Sequence, residues 1–294
     1  MASVLVTGTS RGIGLETALV LGRAGHTVYA TMRNPDGAPA LAQAAEKDRL
    51  PIKVLAMDVD SDNSVRETIG DIQKRFGPID TLVNNAGIER SGSIEELPFS
   101  EFRAMMETNY FGAIRCIQAV LPSMRSRRNG CIINVTSVAG RVSTPPLTGY
   151  AASKFALEAL SEGLAQEGKL FNIRVAVVQP GIINTEMAQR ISKRRVQSPY
   201  PQGRRMSALF TASLQKPTPP VVVAEKILEI IESKSTQLRY PIGPDAEGYL
   251  QWRASMTDQQ WTDWGGADDE TWVQNVQETF GLDTREEVLG KDAK

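Results

Sequence analysis

Apolar residues in this chain fall into short runs rich in β-branched side chains, separated by longer stretches with helical periodicity. Seven runs read as strands: Ala2–Thr7, Thr27–Met32, Ile52–Met57, Thr81–Val83, Cys131–Thr136, Ile173–Val178 and Leu238–Ile242. They are almost continuously apolar rather than alternating, which is the pattern of strands covered on both faces and therefore of a parallel sheet. Between them, helical spacing runs over Ile13–Ala24, Ser61–Phe76, Ser100–Arg127, the stretch from Tyr150 onward and Val221–Ser233. Strand and helix alternate, so the pattern predicts a single doubly wound α/β domain with helices on both faces. Ser61 or Asp62 should cap its helix. Asn109 interrupts an otherwise apolar helix face (Phe102, Met105, Met106, Phe111, Ile114, Ile117). Asn is a poor helix former, and here it is expected to bend the helix or line a water chain. The helix after Tyr150 has a small, apolar face (Ala152, Phe155, Ala156, Ala159, Leu160, Gly163), broad enough to meet a second subunit as well as its own core.

Two segments break the pattern. Residues 184–216 carry seven Lys/Arg against one acid, Glu186. Residues 244–294 carry all four tryptophans and twelve Asp/Glu against four Lys/Arg. The expected organisation is a domain over 1–243 with an irregular basic lid at 184–216, followed by an acidic, Trp-rich extension over 244–294. The extension is expected to dock near the lid, on its own or a neighbouring subunit.

Composition narrows the function classes. The 294 residues are 41% hydrophobic with a net charge of −1, so no global field favours nucleic acid. Two cysteines suggest a reducing compartment rather than a disulfide framework. The single histidine, His26, argues against a His-based metal site, and no metal is expected. No apolar run approaches the roughly 18 residues of a membrane span, and the first run is too short for a signal peptide. These features point to a cytoplasmic chain.

The chemistry-bearing residues sit at strand ends. After the first strand comes Gly8-Thr-Ser-Arg-Gly12-Ile-Gly14, then a helix. That is the setting a phosphate loop needs: Gly8 permits the tight turn, Gly12 lets backbone approach a pyrophosphate, and Gly14 lets helix pack on strand. Ser10, Arg11 and Ile13 belong to the same expected cofactor-contacting turn. At the end of the second strand an acid would accept the ribose 2′-hydroxyl of NAD. Arg33 stands there instead, and with Arg11 it suits a 2′-phosphate, so NADP is expected over NAD. Asp58 and Val59 close the third strand, where they would hold an adenine amine and ring face. Asn85, Ala86 and Gly87 close the fourth and allow close backbone approach to a ligand. Pro180, Gly181, Ile183 and Thr185 follow the sixth, where the nicotinamide half should lie. Ser137 ends the fifth strand, and Tyr150 and Lys154 lie four apart on one helix face. An ammonium beside a phenol is expected to lower its pKa toward the range of acid–base work. Thr144, Pro145 and Leu147, with Ile183, Met187 and the lid, suggest an apolar substrate pocket.

Taken in order, these motifs resemble the short-chain dehydrogenase/reductase family over roughly residues 2–243. Thr7-Gly8-x3-Gly12-Ile13-Gly14 matches its cofactor loop. Asn84-Asn85-Ala86-Gly87 and Pro180-Gly181 match the motifs after its fourth and sixth strands. Asn109, Ser137, Tyr150 and Lys154 match its catalytic tetrad. Val28-Tyr-Ala-Thr-Met-Arg33 and the long tail are most similar to the hydroxysteroid and retinol dehydrogenase branch. The resemblance implies a seven-stranded Rossmann sheet and hydride exchange between a nicotinamide cofactor and a carbonyl or alcohol. Tyr150 would act as general acid/base. Lys154 would bind the nicotinamide ribose, and Asn109 would hold a water that resupplies the proton. The apolar pocket favours a small lipophilic ketone or secondary alcohol, while the basic residues of the lid leave a phosphate-bearing or acyl-carrier substrate open; a homodimer or homotetramer is expected. The rival enzyme reading is a sugar-nucleotide epimerase or dehydratase, whose glycine loop is usually spaced differently. The rival outside catalysis is an NADP-sensing protein, which would not need a proton donor.

Overall fold

In the computed structural model, which describes residues 1–195 and 197–290, seven parallel strands form one sheet in the order β3-β2-β1-β4-β5-β6-β7. The strands are β1 (Ser3–Thr7), β2 (Thr27–Met32), β3 (Ile52–Ala56), β4 (Thr81–Asn84), β5 (Gly130–Val135), β6 (Ile173–Pro180) and β7 (Arg239–Ile242). Connecting them in chain order are α1 (Gly12–Arg23), α2 (Ala40–Lys47), α3 (Asp62–Phe76), α4 (Phe99–Met106), α5 (Gly112–Arg127), α6 (Thr148–Lys169), α7 (Glu186–Ser192), α8 (Gln202–Ser213) and α9 (Val221–Ser233). After β7 come α10 (Ala246–Ala254), α11 (Asp258–Gly266), α12 (Asp269–Phe280) and α13 (Arg285–Leu289).

The continuous apolar runs are explained by burial on both faces, with successive side chains sent to opposite sides. Val4, Val6, Val28, Ala30, Ile133 and Val135 join α1 and α9 in one core layer. Leu5, Tyr29, Leu82 and Ile132 join α3 and α5 in the other. Ser61 caps α3, accepting from the Ser64 N–H. The short α2 escaped the periodicity because only Leu41 and Ala45 of its eight residues are buried.

The long helix expected over Ser100–Arg127 is split by a π-helical turn at Glu107–Phe111, with Asn109 inside it. A π turn is a one-residue excess in a helix and often marks a functional position. Along α6, Ala152, Phe155, Ala159 and Gly163 of the small apolar face remain exposed, next to an exposed Phe111 on the neighbouring helix.

The segment 184–216, expected to be irregular, contains two helices, α7 and α8, because Ile191, Met206 and Leu209 supply apolar contacts that the intervening arginines disguise in the sequence. The extension packs on this pair within the same chain. Trp272, Val273, Val276 and Val288 are buried against Ile191, Met206 and Leu209. Asp269 takes an ion pair from Arg204 and another from Arg205 at 2.8 Å, and Arg205 also donates to the Ala267 carbonyl at 2.8 Å. Trp252, Trp261, Trp264 and Trp272 form one aromatic cluster with Tyr249 and Phe280, at centroid separations of 4.9 to 6.1 Å. Trp272→Ala would empty the centre of this contact, and chemical denaturation should show a loss of about 3–5 kcal/mol. A loss below about 1 kcal/mol would mean that the extension is only loosely attached.

Candidate active site

The chain builds β1, β2 and β3 outward, then returns to place β4 against the other side of β1. Connections therefore diverge above the carboxyl ends of β1 and β4, leaving a crevice at that switch point. A cleft of about 440 Å³ occupies it. Every candidate catalytic and cofactor-contacting residue lines this cleft except Asn109: Gly8, Ser10, Arg11, Gly12, Ile13, Gly14, Arg33, Asp58, Val59, Asn85, Ala86, Gly87, Ser137, Tyr150, Lys154, Pro180, Gly181, Ile183 and Thr185. Pro145, expected in the substrate pocket, instead lines a second cavity of about 770 Å³.

One end of the cleft is a backbone cradle. Gly8 has φ +71°, and a Cβ there would lie 2.7 Å from Ala86 Cα, so only glycine fits. Asn85 braces the loop, donating from Nδ2 to the Thr7 and Gly8 carbonyls at 2.9 and 3.1 Å. Thr7 Oγ1 accepts from the Asn85 and Ala86 N–H groups. Helix α1 starts at Gly12 with no side-chain cap and no acid in its first turn. Its free N–H groups and dipole are thus offered to an anion, which fits a dinucleotide pyrophosphate.

The two arginines separate. Arg33 stays at the end of β2, within electrostatic reach of Asp60, whereas Arg11 bridges to Glu186 of α7 at 2.6 Å. Asp60 escaped the sequence reading. It lines the cleft, accepts from Thr108 Oγ1 at 3.0 Å and has one buried oxygen without a hydrogen-bond partner, and burial raises its pKa.

The other end holds the titratable groups. Lys154 is 4% exposed and its Nζ donates to the Val135 carbonyl at 2.9 Å. One turn earlier Tyr150 is partly buried, and its phenol lies near enough to the Ser137 hydroxyl for that group to favour the phenolate. Ser137 Oγ is in turn oriented by the Ala139 N–H at 3.1 Å and by the Pro180 carbonyl. The expected lowering of the Tyr150 pKa by Lys154 does not occur. Loss of water pushes the phenol upward, Ser137 partly opposes this, and Glu89 adds to the rise. Burial likewise pushes the Lys154 ammonium down to about 8, opposed by Glu158. The reason is general: desolvation disfavours phenolate and ammonium alike, and it is the leading cause at both groups. Lys154 Nζ sits 5.6 Å from the Tyr150 ring centroid.

Asn109 acts from behind the cleft wall. Its amide donates to the Ile88 carbonyl and to Ser153 Oγ, both at 2.9 Å, while its oxygen accepts from the Ile88 N–H at 2.8 Å. Ser153 passes the chain on to the Tyr150 carbonyl at 2.7 Å. A Cβ at Gly87 would lie 3.3 Å from Asn109 Oδ1 and 3.5 Å from Lys154 Nζ, so these two groups flank one small gap. Glu158, buried one turn beyond Lys154, accepts from Thr136, Gln179 and Arg239 at 2.7, 3.0 and 2.8 Å, locking α6 to three strands.

One wall of the cleft is apolar, lined by Leu147, Met187, Met206, Leu209 and Phe210. Tyr249 of α10 also lines it, its phenol pushed up to about 12 by burial, which the nearby Thr144 opposes. Tyr249 gave no signal in the sequence beyond its place in an aromatic-rich tail. Glu89 gave none, and Arg190 stood out only as one of the seven basic residues of 184–216.

Comparisons with known proteins agree with this architecture. A family model described as short chain dehydrogenase matches residues 2–196. Oxidoreductase BOA17 of Botryotinia fuckeliana is 33% identical over 262 residues, covering 87% of this chain and 95% of that protein. Retinol dehydrogenase 8 of Bos taurus is 40% identical over 203 residues, covering 68% of this chain and 64% of that protein. A short-chain dehydrogenase from Streptomyces avermitilis superposes with a TM-score of 0.77 at 32% identity, covering 90% of this chain and 96% of that one.

The folded Lys154 value lies below the ordinary 10.5 of an unfolded lysine. The unfolded chain therefore binds more protons between the two, and native stability rises with pH across about 8 to 10.5. Lys154→Met abolishes this contribution. Its stability relative to wild type should fall as pH rises through that window, by up to about 1.4 kcal/mol per unit separating the two values. Thermal denaturation of both proteins from pH 7 to 10.5 measures it, and a constant difference would mean that Lys154 titrates as a solvated lysine.

Proposed function

The chain belongs to the short-chain dehydrogenase family and is an NAD(P)-dependent oxidoreductase, and from that premise we propose that it interconverts a lipophilic ketone and its secondary alcohol with NADP. The observation that carries this reading is the meeting of Ser137, Tyr150 and Lys154 in one cleft with the glycine cradle. When bound, the nicotinamide supplies or accepts hydride at the substrate carbon.

The residues of this chain do the rest. Ser137 Oγ and the Tyr150 phenol hold the substrate oxygen. In reduction Tyr150 gives that oxygen its proton, and in oxidation it takes one. A phenol pushed upward by burial is fully protonated at neutral pH and is ready as the acid. Lys154, titrating near 8, can exchange protons at working pH and faces the gap shared with Asn109, where a water would resupply Tyr150. The uncapped start of α1 and the Gly8–Gly14 loop, including Ser10, Arg11 and Ile13, hold the pyrophosphate. Asp58 and Val59, joined by Asp60, hold the adenine, and Arg33 takes the 2′-phosphate. Pro180, Gly181, Ile183 and Thr185 border the nicotinamide.

The apolar wall supports a lipophilic substrate, as does the similarity to a protein named as a retinol dehydrogenase. Helices α7 and α8, backed by the extension, form the cover over that wall. The exposed strip of Ala152, Phe155 and Ala159 beside Phe111 is the face through which the chain would pair as a homodimer or homotetramer.

Tyr150→Phe keeps the ring and removes the proton donor. Turnover should fall by at least about 10² while cofactor still binds, as read by absorbance of the reduced nicotinamide and by cofactor titration. Unchanged turnover would exclude Tyr150 as the acid. Arg33→Asp should reverse coenzyme choice, lowering kcat/KM with NADP and raising it with NAD. A preference that does not move removes Arg33 as the selector.

A further inference from the structure

The cleft wall carries a charge that hydrogen transfer does not use. Glu89 is 2% exposed and lines the same cleft as Ser137, Tyr150 and Lys154. Its place is rigidly set, because both backbone polar groups of the preceding residue, Ile88, are bonded to Asn109. One carboxylate oxygen accepts from the Ser91 hydroxyl. The other accepts from Arg190 at 3.1 Å, and Arg190 also reaches the Glu89 carbonyl at 3.2 Å. Arg190 is on α7 and its side chain is half-exposed. Glu89 is near enough to Tyr150 to hold the phenolic proton more firmly.

A carboxylate this far from water is strongly disfavoured unless a cation offsets it. Among the described residues, its one ion-pair partner arrives from a side chain already half in solvent. An incoming cation could take that position, and the displaced guanidinium would stay hydrated. An anionic substrate would instead set a second negative charge beside Glu89. An uncharged ketone would leave the Glu89–Arg190 pair as it stands.

Resting on the oxidoreductase reading above, we propose that Glu89 is a specificity-determining residue that selects substrates bearing a protonated amine close to the reacting carbon, as in an amino ketone or a vicinal amino alcohol. The ammonium takes the place of the Arg190 guanidinium against the carboxylate. The carbonyl oxygen goes to Ser137 and Tyr150, and the alkyl chain lies along the apolar wall.

The test uses the full-length enzyme with NADP⁺ and a matched pair of long-chain secondary alcohols, one with an amine on the neighbouring carbon and one with a methyl there. Wild type should favour the amine by at least tenfold in kcat/KM. Glu89→Gln should bring that ratio near one, and Glu89→Asp should keep part of it. Arg190→Met, a change at a half-exposed position, should lower KM for the amino alcohol by removing the competing cation. A residue that only pins α7 in place would shift both alcohols together and leave the ratio alone. Wild type that oxidises the methyl compound without preferring the amine overturns this inference and leaves the oxidoreductase reading standing. So does an unchanged ratio in Glu89→Gln, or a raised KM in Arg190→Met. Wild type that oxidises neither alcohol overturns both.

Discussion

A hydrogen bond from Lys154 Nζ to the Val135 carbonyl, at 2.9 Å, ties α6 to the carboxyl end of strand β5. A lysine amine enters a protein interior at a cost that a hydrogen bond must offset, and here a backbone carbonyl at the carboxyl end of the sheet accepts one. With that contact made, the position of Tyr150 follows from helix geometry, one turn earlier on the same face. Ser137 ends up opposite, because it leaves β5 two residues beyond Val135. Glu158, one turn further along, secures the same helix through Thr136, Gln179 and Arg239. Tyr150 and Lys154 are therefore set by a helix anchored to the sheet, and Ser137 by the turn that leaves β5.

Burial sets the electrostatics of that end of the molecule. It drives the phenol up and the amine down, and it makes each remaining charge costly enough that its partners matter. Glu158 is shared among three donors from separate strands, whereas Glu89 depends on a hydroxyl and one arginine from α7. One carboxylate is structural in its surroundings and the other faces the cleft. The extension contributes in a different way. It anchors α8 through Asp269 and presents Tyr249 to Thr144, so part of the pocket wall comes from residues after the last strand.

Much of this was legible before any coordinates. Strands buried on both faces leave apolar runs that are hard to miss, and glycine or small residues at their ends betray close backbone approach. Tyr150, Lys154 and Ser137 stand out because their chemistry is unusual at that spacing. The charge contrast between 184–216 and 244–294 hinted at the Arg204, Arg205 and Asp269 contacts. The helices α7 and α8 were not legible, since arginines interrupt Ile191, Met206 and Leu209. Glu89 was hidden for a related reason. A glutamate in a loop reads as solvated, and only tertiary packing reveals that it is buried and paired with Arg190. The direction of the Tyr150 shift was also misread, because local spacing records a neighbouring charge but not the removal of water.

The π turn at Glu107–Phe111 has a consequence for how this fold tolerates change. A helix that accommodates one surplus residue is a place where chain length, and not only residue identity, holds a side chain in register. Deleting a single residue there would restore ordinary pitch and rotate everything on one side by about 100°. Asn109 would then face away from Ile88 and Ser153. The spacing between Phe99 and Arg127 is thus as much a part of the site as any of its functional groups, and alterations that keep every such group but change this count would disassemble it.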